Sequence, residues 1–239
     1  MYKAKKMRFK NAIEVHEYHD AKYGAPGQKR QKKKKATPEQ IARQNQKNRE
    51  RLARWKLREY FNVNDYFTTL TYRKDERPES MEACRKDLQK FLRKIRKLYK
   101  AAGKEMRYML NIEVGTRGAW HAHIVLKRVP DLDVAMAKAW GHGKVVNQLL
   151  YEKGEFRELA AYITKSPVND KKLKDAKYSC SKNMPLKEPE KKVYRKWKTW
   201  GKVRVPKGWY LDKDSVVEGI NLWGFPYREY TLLRIQRKE

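Results

Sequence analysis

The segment from residue 106 to residue 127 constrains the fold most strongly, because polar and apolar residues alternate in two runs separated by a short turn. Side chains on a β-strand point alternately to opposite faces of the sheet. In the second run, His121 and His123 therefore share one face. The side chains on the opposite face are all apolar: Trp120, Ala122, Ile124 and Leu126. The segment predicts a β-hairpin with one face for a hydrophobic core and one polar face.

The register of this hairpin follows from its turn. The first strand places Asn111 and Glu113 on one face, and they meet the histidines only if Glu113 lies opposite His121. That pairing leaves residues 116–118 as a three-residue loop. Such loops commonly end in a left-handed glycine, which Gly118 supplies. Turn chemistry and face pattern therefore predict the same register.

Two imidazoles and one carboxylate on one sheet face form a three-ligand metal site with open positions. This donor set suits Mg²⁺ or Mn²⁺ and would also accept Zn²⁺, Co²⁺ or Ni²⁺. We therefore predict His121, His123 and Glu113 as ligands of a divalent metal, Mg²⁺ or Mn²⁺. The alternative is that the histidines are ordinary surface residues on a solvated sheet face. His142, between two glycines, is expected in a turn.

Hydrophobic periodicity predicts the element order β-α-β-β-α-β-α between residues 65 and 165. The predicted strands are 65–72, 106–114, 119–127 and 143–151, and the predicted helices are 79–100, 131–139 and 154–165. This order suits an α+β fold of the split βαβ type, in which helices pack on one side of an antiparallel sheet.

The helix predicted over 154–165 carries a tyrosine that is displaced from its apolar stripe. Tyr162 lies about 100° from the centre of that stripe on a helical wheel. Lys165 follows it by three residues and would lie beside it. A tyrosine next to a lysine and away from the core is a candidate covalent nucleophile. The alternative is an ordinary half-buried tyrosine.

The chain carries 59 Lys and Arg against 28 Asp and Glu, a formal net charge of +31. The excess is spread along the chain, at +13 for residues 1–60, +8 for residues 61–168 and +10 for residues 169–239. A chain that is basic throughout is typical of a surface that follows a phosphate backbone, so we expect a nucleic-acid partner. We expect these three ranges to be a basic N-terminal arm and helix, the catalytic domain, and a basic, aromatic-rich C-terminal extension of short strands and loops.

Within the N-terminal range, residues 22–37 are typical of a flexible basic linker, and Thr37 with Pro38 predicts the start of a helix over 38–60. The side chains expected to hold DNA lie on this helix and in the central range: Arg43, Lys47, Arg51, Arg54, Arg58, Arg117 and Lys144. Four aromatic residues of the C-terminal range are expected either to stack on bases or to pack: Trp197, Trp200, Trp209 and Tyr210.

The sequence also predicts a setting. It contains neither an apolar run of about 18 residues nor the apolar core of a signal peptide, so we expect no membrane association and a cytoplasmic location. The two cysteines, Cys84 and Cys180, are too few for a disulfide framework or a cysteine-based zinc site.

Three motifs together resemble those of rolling-circle replication initiators of the HUH endonuclease superfamily, over roughly residues 65–167. They are Phe67-Thr68-Thr69-Leu70-Thr71-Tyr72, His121-Ala122-His123 and Tyr162-Ile163-Thr164-Lys165. The resemblance implies a five-stranded antiparallel sheet of the RRM-like type, with the histidines on a central strand. It also implies a divalent metal and a single catalytic tyrosine, with Tyr162 as nucleophile and Lys165 assisting.

The implied activity is nicking of single-stranded origin DNA, which leaves a 5′-phosphotyrosine and a free 3′-hydroxyl that primes replication in a bacterial host. The implied partners are single-stranded DNA, the origin duplex, and a host helicase and polymerase. No Walker-type segment is present, so we expect no nucleotide cofactor.

Three other interpretations compete with this one. A single-tyrosine transposase or a relaxase would use the same chemistry, but relaxases usually place the tyrosine before the histidines, whereas Tyr162 follows them. A non-catalytic basic nucleic-acid-binding protein would make the histidines incidental. A metallohydrolase on a (β/α)₈ barrel is disfavoured, because the residues after His123 are too few for a barrel of about 250 residues.

Overall fold

The computed structural model describes residues 1–20, 35–115, 118–150, 156–165 and 178–235. The chain divides into two compact units. The terminal unit comprises Met1–Asn45 and Lys187–Glu239, and the central unit comprises Gln46–Leu186. Each of the two five-stranded sheets is antiparallel, so the fold belongs to the predicted α+β class.

The helices and strands are named in chain order. They are β1 (Tyr2–Arg8), β2 (Ala12–Tyr18), α1 (Pro38–Tyr60), β3 (Tyr66–Thr71), α2 (Met81–Ala101), β4 (Tyr108–Val114), β5 (Trp120–Leu126), α3 (Leu132–Trp140), β6 (Val145–Leu149), α4 (Arg157–Thr164), β7 (Ser179–Cys180), β8 (Glu190–Tyr194), β9 (Trp209–Ile220) and β10 (Pro226–Arg234). Every element predicted between residues 65 and 165 is present, with bounds that differ by a few residues.

The sheet of the central unit has the strand order β6-β3-β5-β4-β7, so β5 and its histidines are at the centre. The predicted register is confirmed, since Glu113 lies opposite His121 and Asn111 lies opposite His123. Gly118 adopts a left-handed φ of 65°, as the turn requires. Residues 116 and 117 lie outside the described part of the chain.

One face of this sheet carries the larger hydrophobic core. The alternation of β5 places Ala122, Ile124 and Leu126 against α2 and α3. Helix α2 presents Leu88, Phe91 and Ile95 to this core among other buried residues. Cys84 is also buried there, so it contributes to packing as a small apolar side chain.

Helices also cover part of the opposite face, and the expectation that all helices pack on one side was wrong. Met109 of β4 and Val125 of β5 share the face of the polar residues but are fully buried. Leu57 of α1 and Ile163 of α4 pack in the same apolar cluster. Two apolar residues on the polar face need cover, and these helices exclude water from that end of it.

Helix α1 begins as the sequence predicts. The Gln40 amide donates to Thr37 Oγ1 at 3.3 Å, and the Thr37 amide donates to Gln40 Oε1 at 3.0 Å, a reciprocal capping pair. In the helix, Gln46 Nε2 donates to the Thr164 carbonyl at 3.1 Å, which joins α1 to the end of α4. The helix therefore helps to position α4 over the sheet.

The terminal unit holds a sheet that the local sequence patterns did not predict, with the strand order β8-β1-β2-β10-β9. Residues 2–18, expected to belong to a basic arm, form a hairpin in this sheet. Its apolar cluster is small and centres on Ile13, Val15, Tyr230 and Leu232. The linker predicted over 22–37 lies mostly outside the described residues. Within the described part of the chain, no helix is both long and apolar enough to cross a membrane.

Candidate active site

The three predicted metal ligands converge on the polar face of β4 and β5. His121 Nε2 lies 3.3 Å from Glu113 Oε2, and His123 Nε2 lies 3.8 Å from the same oxygen. One ligand atom from each residue falls within 4.8 Å of the other two. Two imidazole nitrogens and a carboxylate oxygen at this spacing could hold one divalent cation.

Hydrogen bonds on the far side of each ligand orient it. His121 Nδ1 lies 3.0 Å from the Ala119 carbonyl oxygen, which only accepts, so the proton belongs on Nδ1 and Nε2 keeps its lone pair. His123 Nδ1 lies 3.0 Å from Thr69 Oγ1. Asn111 Nδ2 donates to Glu113 Oε1 at 3.0 Å and leaves Oε2 directed at the histidines. Such outer partners are typical of metal-ligating side chains.

Helix α4 brings Tyr162 to this cluster. Its hydroxyl lies 2.8 Å from His123 Nε2 and donates to Glu113 Oε2 at 3.4 Å. Ala160 and Ile163 hold the opposite side of the helix in the apolar cluster. The Tyr162 side chain is still 39% exposed, so an incoming substrate can reach the hydroxyl.

Strand β3 supplies two site residues that were not assigned from the sequence. The Phe67 ring stacks on His123, with centroids 5.4 Å apart and planes 10° from parallel, and meets Tyr162 edge-on at 6.1 Å. Thr69 lies opposite His123 in the register and contacts its Nδ1. The period-two alternation of β3 was a usable signal, because it places Phe67 and Thr69 on the same face.

The electrostatics of the cluster follow from these contacts. The hydrogen bond between Glu113 and His121 lowers the pKa of the Glu113 carboxyl and raises the pKa of His121. Burial lowers the pKa of His123. Burial and the nearby Glu113 carboxylate raise the pKa of Tyr162 to about 12. The phenol is therefore protonated at neutral pH, and its attack on an electrophile requires removal of the proton.

Lys165 follows the last residue of α4 and departs from helical geometry, with a ψ of 123°. Its side chain is exposed. The close placement beside Tyr162 that regular helical spacing would impose is therefore not enforced by the backbone, and its assisting role stays a prediction.

The residues predicted to hold DNA have different degrees of exposure. Arg43 and Lys47 of α1 and Lys144 before β6 are exposed. Arg51, Arg54 and Arg58 are half-buried on α1. At 100° per residue, the five α1 residues fall within an arc of about 80°. Arg117 lies outside the described residues.

His142 occupies the connection between α3 and β6, where the sequence predicted a turn. Its Nδ1 lies 3.0 Å from Glu76 Oε2, and its Nε2 lies 3.7 Å from Asp87 Oδ1. These contacts give it a role in joining the connection to its surroundings, apart from the three-residue cluster.

Residues 65–167 match the family model of the replication-associated protein ORF2. The match covers less than half of the chain and includes the three candidate ligands and Tyr162. It supports a replication initiator and agrees with the resemblance drawn from the three motifs. Separate comparisons with curated proteins and with solved structures found no match.

Proposed function

We propose that this protein is a rolling-circle replication initiator that nicks single-stranded origin DNA with a divalent metal and Tyr162 as the nucleophile. The observation that carries the proposal is the 2.8 Å separation between the Tyr162 hydroxyl and His123 Nε2, at the edge of a three-donor cluster. A tyrosine in the core or on a remote surface would have no such neighbours. The family match over the same residues supports the same function.

The donor set fits a divalent cation. Glu113, His121 and His123 would hold it, since each offers one ligand atom and each has an outer hydrogen bond that fixes its orientation. When bound, Mg²⁺ or Mn²⁺ would supply Lewis-acid polarisation of the scissile phosphate. The three open coordination positions of an octahedral ion leave room for substrate oxygens.

The proposed reaction exchanges one phosphodiester for another. Tyr162 Oη attacks phosphorus, a P–O bond to the tyrosine forms, and the bond to the 3′ oxygen breaks. The phenolic proton passes to a base or to water, and the 3′ oxygen takes up a proton to become a hydroxyl. Because one phosphate ester replaces another, the strand can later be rejoined, and the free 3′-hydroxyl can prime synthesis.

Nearby residues would assist by position and charge. Glu113 Oε2, at 3.4 Å, is an acceptor within reach of the phenolic proton. Lys165 would offset negative charge that develops on the phosphate. The basic side chains of α1, with Arg117 and Lys144, would hold the DNA on either side of the cleaved bond. A host helicase and polymerase would continue replication from the nick.

Covalent capture of an origin oligonucleotide tests the proposal. The protein is incubated with Mn²⁺ and a labelled single strand from the origin, and adducts are resolved on a denaturing gel. The unchanged protein should form a metal-dependent adduct, Tyr162→Phe should form none, and the control Tyr210→Phe, altered at an exposed tyrosine of the terminal unit, should react normally. An adduct that persists in Tyr162→Phe would overturn the assignment.

A further inference from the structure

A cavity of about 610 Å³ lies within the terminal unit, beside β1, β8 and β10. It shares no residue with the candidate active site. Its volume is in the range of pockets that enclose small organic ligands. The lining is unusual in composition, since aromatic and basic side chains provide ten of its fourteen residues. We call this cavity the aromatic pocket.

A buried ion pair builds the inner wall of the aromatic pocket. Arg228 Nε and Nη2 donate to Glu17 Oε2 at 2.9 and 2.6 Å, and both side chains are about nine-tenths buried. The same guanidinium lies over the rings of Trp200, at 5.7 Å, and Tyr230, at 5.4 Å. Cation–π contacts of this kind fix the orientation of the rings. The wall is thus held in place by the protein itself.

Stacked tyrosines extend this wall. The rings of Tyr2 and Tyr194 lie 4.5 Å apart and within 8° of parallel, and Trp200 meets Tyr2 edge-on at 5.9 Å. Both geometries are favourable for aromatic pairs. The strands β1 and β8, which carry the tyrosines, are hydrogen-bonded neighbours. The aromatic surface is therefore pre-organised by the sheet.

The outer part of the aromatic pocket is exposed and positively charged. Trp197 is 63% exposed, and Lys192, Lys202 and Arg204 are exposed around it. The one acidic residue of the lining, Glu17, is already paired with Arg228. An indole left in water beside three cations is a poor solution for folding alone, and it offers a flat surface and a positive rim to a ligand.

We propose that the aromatic pocket binds an unpaired nucleotide of single-stranded DNA, with the base stacked on Trp197 and the phosphates held by Lys202 and Arg204. A flat ring requires an accessible aromatic face, which a base in duplex DNA does not offer. An acidic peptide would use the cations but would not require the indole. The inference extends beyond the nicking reaction, because it assigns a second DNA contact to a different sheet.

Fluorescence anisotropy with a labelled single-stranded 12-mer of mixed sequence tests this assignment on the full chain, in EDTA to prevent metal-dependent cleavage. Trp197→Ala should weaken binding by about 5- to 100-fold, the loss of one stacked base. The matched control is Trp223→Ala, because Trp223 is 50% exposed in the same unit and does not line the pocket. That variant should bind within twofold of the unchanged protein.

Two further measurements keep the proposal separate from the proposed function. Tyr162→Phe should bind the 12-mer normally even though it forms no covalent adduct, so failure of one claim leaves the other intact. A duplex of the same length should lose less than twofold in affinity with Trp197→Ala. Equal losses for Trp197→Ala and Trp223→Ala, or an equal loss for duplex and single strand, would overturn the aromatic pocket as a base-binding site.

Discussion

At the scale of single residues, His123 is held from three directions. Thr69 contacts its Nδ1, the Phe67 ring lies parallel to its plane, and Tyr162 contacts its Nε2. Its side chain is almost fully buried, whereas His121 is partly exposed. His123 is therefore the ligand whose orientation depends most on its neighbours, and Thr69 is the neighbour that determines which ring nitrogen is available.

The Thr69→Val substitution tests that dependence. Valine keeps the shape of threonine but removes the hydroxyl that pairs with His123 Nδ1, so Mn²⁺ affinity should fall by about 10-fold or more. Isothermal titration calorimetry with Mn²⁺ measures the change. The matched control is Thr71→Val on the same strand face, where the hydroxyl contacts Lys144 backbone atoms. A similar loss in both variants would argue against a specific role for Thr69.

Removing the charge of Glu113 should have a larger effect. Glu113→Gln deletes the anionic donor and replaces one carboxylate oxygen with an amide nitrogen, so we expect Mn²⁺ affinity to fall by at least about 10-fold. The metal-dependent adduct should decrease in parallel. Glu82→Gln, at an exposed glutamate on α2, serves as the control. Normal Mn²⁺ binding by Glu113→Gln would remove this residue from the ligand set.

At the scale of elements, sequence periodicity was sufficient for the strands and helices of the central unit. The alternation in β5 and the position of Gly118 also predicted the pairing of Glu113 with His121. The covering of the polar face was harder to foresee, because it depends on Met109 and Val125 finding partners on α1 and α4. Those partners are distant in sequence, and periodicity describes only one element at a time.

The connection between α3 and β6 offers a test at this scale. A Cβ at Gly143 would lie 2.1 Å from the Thr71 carbonyl oxygen, so Gly143→Ala must displace β6 from β3 or break the hydrogen bonds near Thr71. We expect a loss of about 1–3 kcal/mol in the free energy of unfolding. Urea denaturation measures it.

Gly201→Ala is the control for that comparison, because a Cβ at Gly201 would meet no atom within 4 Å. Its free energy of unfolding should stay within about 0.5 kcal/mol of the unchanged protein. Equal stability of the two variants would show that the close approach at Gly143 relaxes without cost.

At the scale of the whole molecule, the sheet of the terminal unit joins segments from both ends of the chain. Strand β2 pairs with β10 across more than 200 residues of sequence. Each strand alone is short and carries many charges, so local patterns gave little indication that they form one sheet. The aromatic pocket depends on the same long-range pairing, which is why the sequence could name Trp197 and Trp200 but could not place them beside Arg228.

The net charge of +31 predicts how the whole molecule binds DNA. Five or more phosphate contacts would make single-strand affinity fall by about 100-fold or more between 50 and 200 mM salt, as bound cations are released. Anisotropy titrations across this range, in EDTA, measure the slope. An affinity that is insensitive to salt would contradict a phosphate-led interface.

The central claim is that Tyr162 becomes covalently joined to the 5′ end of the cleaved strand. Its most direct test is to form the adduct with Mn²⁺ and an origin oligonucleotide, digest the DNA and the protein, and locate the nucleotide-bearing peptide by mass spectrometry. The account predicts a 5′-phosphotyrosine at Tyr162. A modified residue elsewhere, or cleavage with no protein-linked nucleotide, would contradict it.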